Sequence, residues 1–495
     1  MRRAVRSAIR SALVAIAVVL ASVAIGLTTT FTAAVGLVVA VTPLIVPGTG
    51  TPNPAVPSNY MSNAVAYYIE PGGTCGAEGC ADPVPVPYIA QFWPFPFPGW
   101  GGLSGARWNV SVASGVTRLT SELVGANNPS ATHPVAILGY SQGATVTSIV
   151  KSHLAELPAE QKQFITIVLI GNPNRPDGGL FERLAMLGTV PILDATFGQP
   201  TPTDTGIQTY DIALQYDGVV DAPEWVLNPL ALLNAAAGFE YTHPTYLAPD
   251  GNDPPDETPY GYTPEQVQAA VAAAAKANCT AATHCQIHGD TYYITLPAKT
   301  LPIMQPFLDL ADATGTSAVV IPIVDLISPI TQTLIETAYT RDDYGEPSPF
   351  RLVPRFNPVQ VATDLVNDIP EGVNAALNPG LDPLPGWRDP LEPADEPQTD
   401  ATTDDNAVVT LTSNSDAEPL IRRSSIARPN DGITDPDTAA TDRARPSLRP
   451  IGNELRKAAK GFADSVSRAF QPSTKPKPDQ PDTDDTPAAT SEPAA

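Results

Sequence analysis

The chain has 495 residues, 43% of them hydrophobic and 16% charged, which is enough apolar material for one large core with appendages. Its formal net charge of −24 excludes nucleic acid as an expected partner, because that surface is bound by basic patches that displace counterions. The acidity says nothing about the fold itself.

Residues 1–42 read as a signal peptide or membrane anchor. Arg2, Arg3, Arg6 and Arg10 form a basic start, Ser11 to Leu27 is apolar and uncharged, and a second apolar stretch runs from Ala33 to Val46. A spanning helix needs about 20 apolar residues, so a cleaved signal and a retained anchor both fit. No A-x-A-like cleavage site stands out, which favours the anchor. The expected location is therefore the cell envelope, with the protein either anchored or secreted.

The folded part is expected over 43–384. PLIV, Pro43 to Val46, reads as a strand that breaks into the glycine turn PGTGTPNP. Asn63 to Ile69 fits either a helix or a short strand. The segment PVPVPYIAQFWPFPFPGWGG is too apolar for an ordinary solvated loop, and its alternating prolines prevent regular strand pairing. A lid or lipid-facing rim is the preferred reading of Phe92, Trp93, Phe95, Phe97 and Trp100, with packed core as the competitor. Val110 to Val124 has helical periodicity, with Val112, Val116, Leu119 and Leu123 on one side.

Next come apolar strands at Pro134 to Gly139, Phe164 to Ile170 and Tyr210 to Tyr216, the first followed by a helix over Ala144 to Leu154. Apolar strands separated by helices point to an α/β fold with a mostly parallel sheet covered on both faces. Thr263 to Ala277 reads as a helix capped by Thr263, with Pro264 in its first turn. Thr291 to Leu296 reads as a strand, and Val319 to Ala338 as apolar helical pieces interrupted by proline. From 385 to 495 the composition turns polar and poor in aromatics, which predicts disorder, with a possible basic amphipathic helix over 453–470.

The four cysteines form two close pairs, Cys75/Cys80 and Cys279/Cys285, each in a small polar loop. In an exported protein that pattern predicts two local disulfides. His284 and His288 lie near the second pair, but the zinc-site spacings are missing, so no metal is expected. No cofactor is expected either.

The chemistry starts at Gly139-Tyr140-Ser141-Gln142-Gly143, which matches G-x-S-x-G. A strand precedes it and a helix-compatible run follows, as a strained strand-to-helix nucleophile elbow requires. Ser141 needs a base oriented by a carboxylate, and in this fold the chain order is serine, acid, histidine. His133 precedes the serine, and His153 sits on the helix leaving it. His243, in YTHPTY, is the preferred base, with His284 or His288 as fallback. Asp217 stands where the last core strand ends and is the preferred acid. Asp221, a few residues on, competes, with a structural role as its alternative. The oxyanion hole is expected from the backbone N–H of Gln142 and of Thr49 in the PGTGTP turn.

Taken together, VPGTGTPNP, GYSQGA, IGNPNRPDGG and YDGVVDAPEWVLNPLALLNAAAGFEYTHPTY resemble the PE-PPE domain of actinobacterial cell-envelope serine hydrolases, from about Leu44 to about Pro358. The resemblance implies a cutinase-like α/β-hydrolase with a Ser-Asp-His triad. Tyr216-Asp217-Gly218-Val219 and His243-Pro244-Thr245-Tyr246 match in outline the acid and base segments of cutinases. Two departures stand out. An export-type segment takes the place of the Pro-Glu or Pro-Pro-Glu helical modules, as in the trehalose-acylating members. The elbow also ends in Gly143, where many members carry serine. The implied activity is carboxylesterase action on acyl esters or acyl transfer between acylated trehalose molecules, through an acyl-enzyme on Ser141, with a lipid or acylated sugar as substrate. The competing classes are a non-catalytic envelope-binding protein and a thioesterase or peptidase on the same scaffold.

Overall fold

The computed structural model describes residues 39–76, 79–249, 259–275, 278–378 and 384. Nearly all of the export-type segment, the polar tail and the helix expected at 453–470 lie outside the described residues.

The strands are β1 (Thr42–Val46), β2 (Val84–Pro85), β3 (Val135–Tyr140), β4 (Ile165–Ile170), β5 (Thr189–Val190), β6 (Ala195–Thr196), β7 (Thr209–Leu214), β8 (Cys285–His288) and β9 (Thr291–Leu296). Seven of them form one sheet in the order β2–β1–β3–β4–β7–β9–β8, while β5 and β6 make a separate antiparallel ribbon. Every pairing in the large sheet is parallel except β8 with β9. The unbroken apolar runs follow from this arrangement, because a parallel sheet covered on both faces buries both sets of alternating side chains.

The alternation is visible residue by residue. Ile45, Ala136, Leu138, Val168, Ile170 and Ile212 point to one core, whereas Leu44, Val46, Ile137, Ile167 and Leu169 point to the other. Helices α1 (Tyr60–Ala64), continued by a π-helical turn over Val65–Ile69, and α5 (Pro264–Ala274) cover the first face. Helices α2 (Trp108–Val124) and α3 (Gln142–Leu154) cover the second. Asn63 to Ile69 is thus helical. Each fully buried Leu, Ile or Val contributes about 1.5–3 kcal/mol, so these two layers hold most of the stabilisation.

Beyond the carboxyl ends of β7 and β9 lies a third layer: α4 (Pro229–Tyr241), α6 (Gln305–Thr314), α7 (Ser317–Glu336) and α8 (Pro358–Leu377). Tyr216, Ala231, Met304, Val324, Ile335, Tyr339 and Leu384 form its core. Here the structure corrects the expected proline-broken pieces: α7 is one continuous helix through Pro322 and Pro329. A proline inside a helix costs about 3 kcal/mol. Tertiary packing offsets that cost, since α8 lies along α7 closely enough for Gly372 to rest on the Leu326 carbonyl.

Both disulfides are formed, Cys75–Cys80 and Cys279–Cys285. Thr263 accepts from the Gln266 N–H and Gln266 reciprocates, closing a capping box at the start of α5.

Candidate active site

Ser141 leaves β3 at φ 54° and ψ −118°, a conformation that L-residues rarely adopt. The strain persists because the strand and helix on either side of it are locked together. A Cβ on Gly139 would lie 2.5 Å from Thr147 Oγ1, and one on Gly143 would lie 2.3 Å from the Val46 carbonyl. In this backbone neither position accepts a side chain, so the departure from serine at position 143 goes with close packing of α3 on β1.

His243 lies in the 3₁₀ turn that follows α4, with Nε2 2.9 Å from Ser141 Oγ. Its Nδ1 stands 2.8 Å from one Asp217 oxygen and 3.1 Å from the other. An ionised carboxylate only accepts, so the Nδ1–H tautomer is selected and Nε2 is left to accept from the serine hydroxyl. Asp217 is fully buried just past β7, reached through Tyr216 at φ 66°. It also accepts from the Val219 N–H at 2.9 Å and from the Tyr246 hydroxyl at 3.0 Å. Burial, reinforced by the Asp217 charge, pushes the Tyr246 hydroxyl well above its usual pKa, so it stays a donor.

Four glycines and a tyrosine make this arrangement possible. A Cβ on Gly171 (φ 54°) would sit 2.9 Å from His243 Cε1, so glycine leaves room for the imidazole. Gly238 on α4 and Gly218 on the acid loop bring backbone against backbone. Their added Cβ atoms would meet the Tyr216 and Ala235 carbonyls at 1.9 and 2.2 Å. Gly50 (φ 93°) turns the chain after β1. Tyr140 donates its hydroxyl to the His243 carbonyl at 2.5 Å.

The other candidates lie elsewhere. Asp221 accepts from the Tyr216 N–H and pairs with Arg341 at 2.6 Å, a buried structural role. Burial would drive the Arg341 guanidinium towards losing its proton, but the carboxylates of Asp221 and Glu336 hold its pKa well above the ordinary value. His153 is exposed on α3, and His133 sits 3.4 Å from Asn127 Oδ1. His284 lies in a left-handed turn, and His288 pairs with Asp343 at 3.0 Å. Among the described residues, one group has donor atoms close enough to share a metal ion: His288, Asp343 and Glu346. A surface histidine–carboxylate pair accounts for it.

The Gly48–Thr49 turn lies beside the serine: a Cβ on Gly48 would be 3.2 Å from Ser141 Cβ. Tyr60 accepts the Gly48 N–H, and Tyr88 donates to the Pro47 carbonyl, fixing the turn from both sides. Gln142 opens α3, so its N–H has no carbonyl acceptor within the helix. Sequence reasoning missed what the Gln142 side chain does. It accepts from Ser111 Oγ and donates to the Gln91 carbonyl, while Gln91 receives the Ala106 N–H. The elbow therefore anchors the aromatic loop. A single glutamine between serine and glycine carries no signal that would have revealed this.

That loop is half-buried rather than solvated. Phe92 packs on Trp108 at 4.7 Å, and Phe97 and Trp100 pack on Phe239. Phe239 in turn stacks over His243 at 6.1 Å. The imidazole thus sits beneath an aromatic cover.

The topology and the strained serine turn define an α/β-hydrolase fold. The model of the PE-PPE domain matches residues 81–340, and the chain belongs to that family. It is 33% identical to "Esterase PE16" of Mycobacterium tuberculosis, over 70% of this chain and 57% of that protein. It is 29% identical to "Diacyltrehalose acyltransferase Chp2" of the same organism, over 43% of this chain and 53% of that one. The chain spans about half the length of these curated relatives. Among solved structures, a cutinase-like protein from Cryptococcus sp. is similar at 20% identity with a TM-score of 0.23, covering 37% of this chain and 79% of that one.

Proposed function

We propose that the protein is a serine esterase or acyltransferase acting on acyl esters of envelope lipids, with Ser141, His243 and Asp217 as its triad. The observation that carries this reading is the unbroken chain from Ser141 Oγ to His243 Nε2 at 2.9 Å and from Nδ1 to Asp217 at 2.8 Å. His243 takes the serine proton as Oγ attacks the ester carbonyl, and the N–H groups of Gln142 and Thr49 hold the oxyanion. Collapse breaks the C–O bond, and His243 returns the proton to the leaving alkoxide. Water or a sugar hydroxyl, deprotonated by the same imidazole, then attacks the acyl-serine and frees the hydroxyl.

Transfer to a sugar hydroxyl is the second reading. The aromatic cover over His243 favours it, because a site shielded from water slows hydrolysis of the acyl-enzyme. The relatives named for esterase and for diacyltrehalose acyltransferase activity support both outcomes. A cell-envelope location follows from such substrates.

The test is turnover of p-nitrophenyl butyrate by the chain and by Ser141→Ala. Loss of at least about a thousandfold in kcat is expected. A variant that retains parental turnover would remove the assignment. Adding a singly acylated trehalose then separates the outcomes: diacylated product indicates transfer, and free acid alone indicates hydrolysis.

A further inference from the structure

Helix α7 is built inside out. Its polar and charged side chains, Asp325, Ser328, Gln332, Thr333 and Glu336, are buried. Val319, Ile323, Leu326, Ile327 and Leu334 are exposed, Val319 by 64% and Ile323 by 52%. A helix on the surface of a soluble domain shows the reverse order. The two ionisable groups of α7, Asp325 and Glu336, both point inward, so its outer face carries no charge.

The neighbouring elements extend the apolar area of this face, with Asp309, Asp312 and Glu371 exposed among them. On α8, Val359, Val366, Ile369, Val373 and Leu377 are exposed, and on α6, Phe307 and Leu310. Both helices pack against α7. Helix α4, which also touches α7, exposes Leu232 and Leu233. It then runs through Phe239, which stacks on His243 and on the aromatic loop. One helix therefore joins the apolar layer to the mouth of the candidate active site.

We propose that the outward faces of α6, α7, α8 and α4 form a docking surface for an uncharged lipid layer. The helices would lie flat against the lipid without crossing it. Glu336 accepts from Gln215, Tyr216 and Arg341 on the inner side, and Asn228 donates to the Leu334 carbonyl, so α7 is tied to the domain along its polar face. A helix of 20 residues spans about 30 Å and presents its apolar face in the plane of an interface. With a net charge of −24, the chain is repelled by anionic headgroups, which leaves apolar contact as the means of adhesion. Continuity with the site through α4 selects lipid over a second copy of the chain. That step rests on the lipid-ester reading above.

The test uses the full chain with a single environment-sensitive fluorophore on Ile323→Cys, and a control label on Ser152→Cys of α3. Phosphatidylcholine vesicles should brighten and blue-shift the probe at 323 and leave the one at 152 unchanged, with no loss at high salt. A 323 probe that ignores vesicles would overturn the proposal. So would one shielded beforehand in proportion to protein concentration, which would assign the face to a second copy. Ile323→Glu combined with Ile369→Glu should lower turnover of a vesicle-embedded ester roughly tenfold, with p-nitrophenyl butyrate turnover unchanged. Failure of all ester turnover would strike the catalytic reading alone, because the probe at 323 reports docking without it.

Discussion

The carboxyl edge of the sheet and the α6–α8 layer handle polarity in opposite ways. At the sheet edge, Asp217 is fully buried and every group around it converges on it: His243, Tyr246 and the Val219 N–H. The backbone there is strained at Ser141 and Tyr216 and packed to contact at Gly238. In the helical layer, polar side chains also turn inward, but apolar ones are left in the open. The first region spends stability on geometry, while the second exposes surface that only another apolar phase would cover. Buried polar groups also converge on Arg341, from Asp221 and Glu336, but only the set around Asp217 runs on through an imidazole to a strained serine.

Substitutions should separate the two regions. Asp217→Asn removes the carboxylate that selects the His243 tautomer, and kcat should fall by about three to four orders of magnitude with the chain still folded. Turnover within tenfold of the parent would break the comparison at its polar end. Gly238→Ala forces a Cβ to within 1.9 Å of the Tyr216 carbonyl, so α4 and the acid loop must part. A loss of roughly 3 kcal/mol in stability, read as a lower urea midpoint, is expected together with reduced kcat.

Tyr246→Phe removes one hydrogen bond to a charged acceptor, worth about 1.5–3 kcal/mol, so kcat should drop roughly tenfold to a hundredfold. KM should stay constant, since Tyr246 lies behind the acid. Asp221→Asn should lower the melting temperature through its pair with Arg341 and cost little kcat, sharpening the distinction between two carboxylates four residues apart. Smallest of all, Ile369→Glu on the outer face of α8 should shift stability by no more than about 0.5 kcal/mol, because the site is already open to water.

Much of the sheet edge was legible in the sequence because its demands are local. A strained elbow needs small residues on both sides of the serine, and Gly139 and Gly143 supply them within five positions. Asp217 stood out because it follows an apolar strand directly, and His243 because the other four histidines were poorly placed. What stayed hidden was tertiary. Nothing near Gly238 signals that it faces the Tyr216 carbonyl, and nothing near Gln142 signals that its side chain holds Gln91. The helical layer misled for a related reason. Pro322 and Pro329 read locally as breaks, but the packing of α8 along α7 carries the helix through both.

The central claim is that Ser141 is activated by His243. Its most direct test is treatment of the full chain with a fluorophosphonate, followed by peptide mass mapping. The account predicts one adduct, on Ser141, that is lost in His243→Ala. An adduct on another residue, or undiminished labelling without His243, would contradict it.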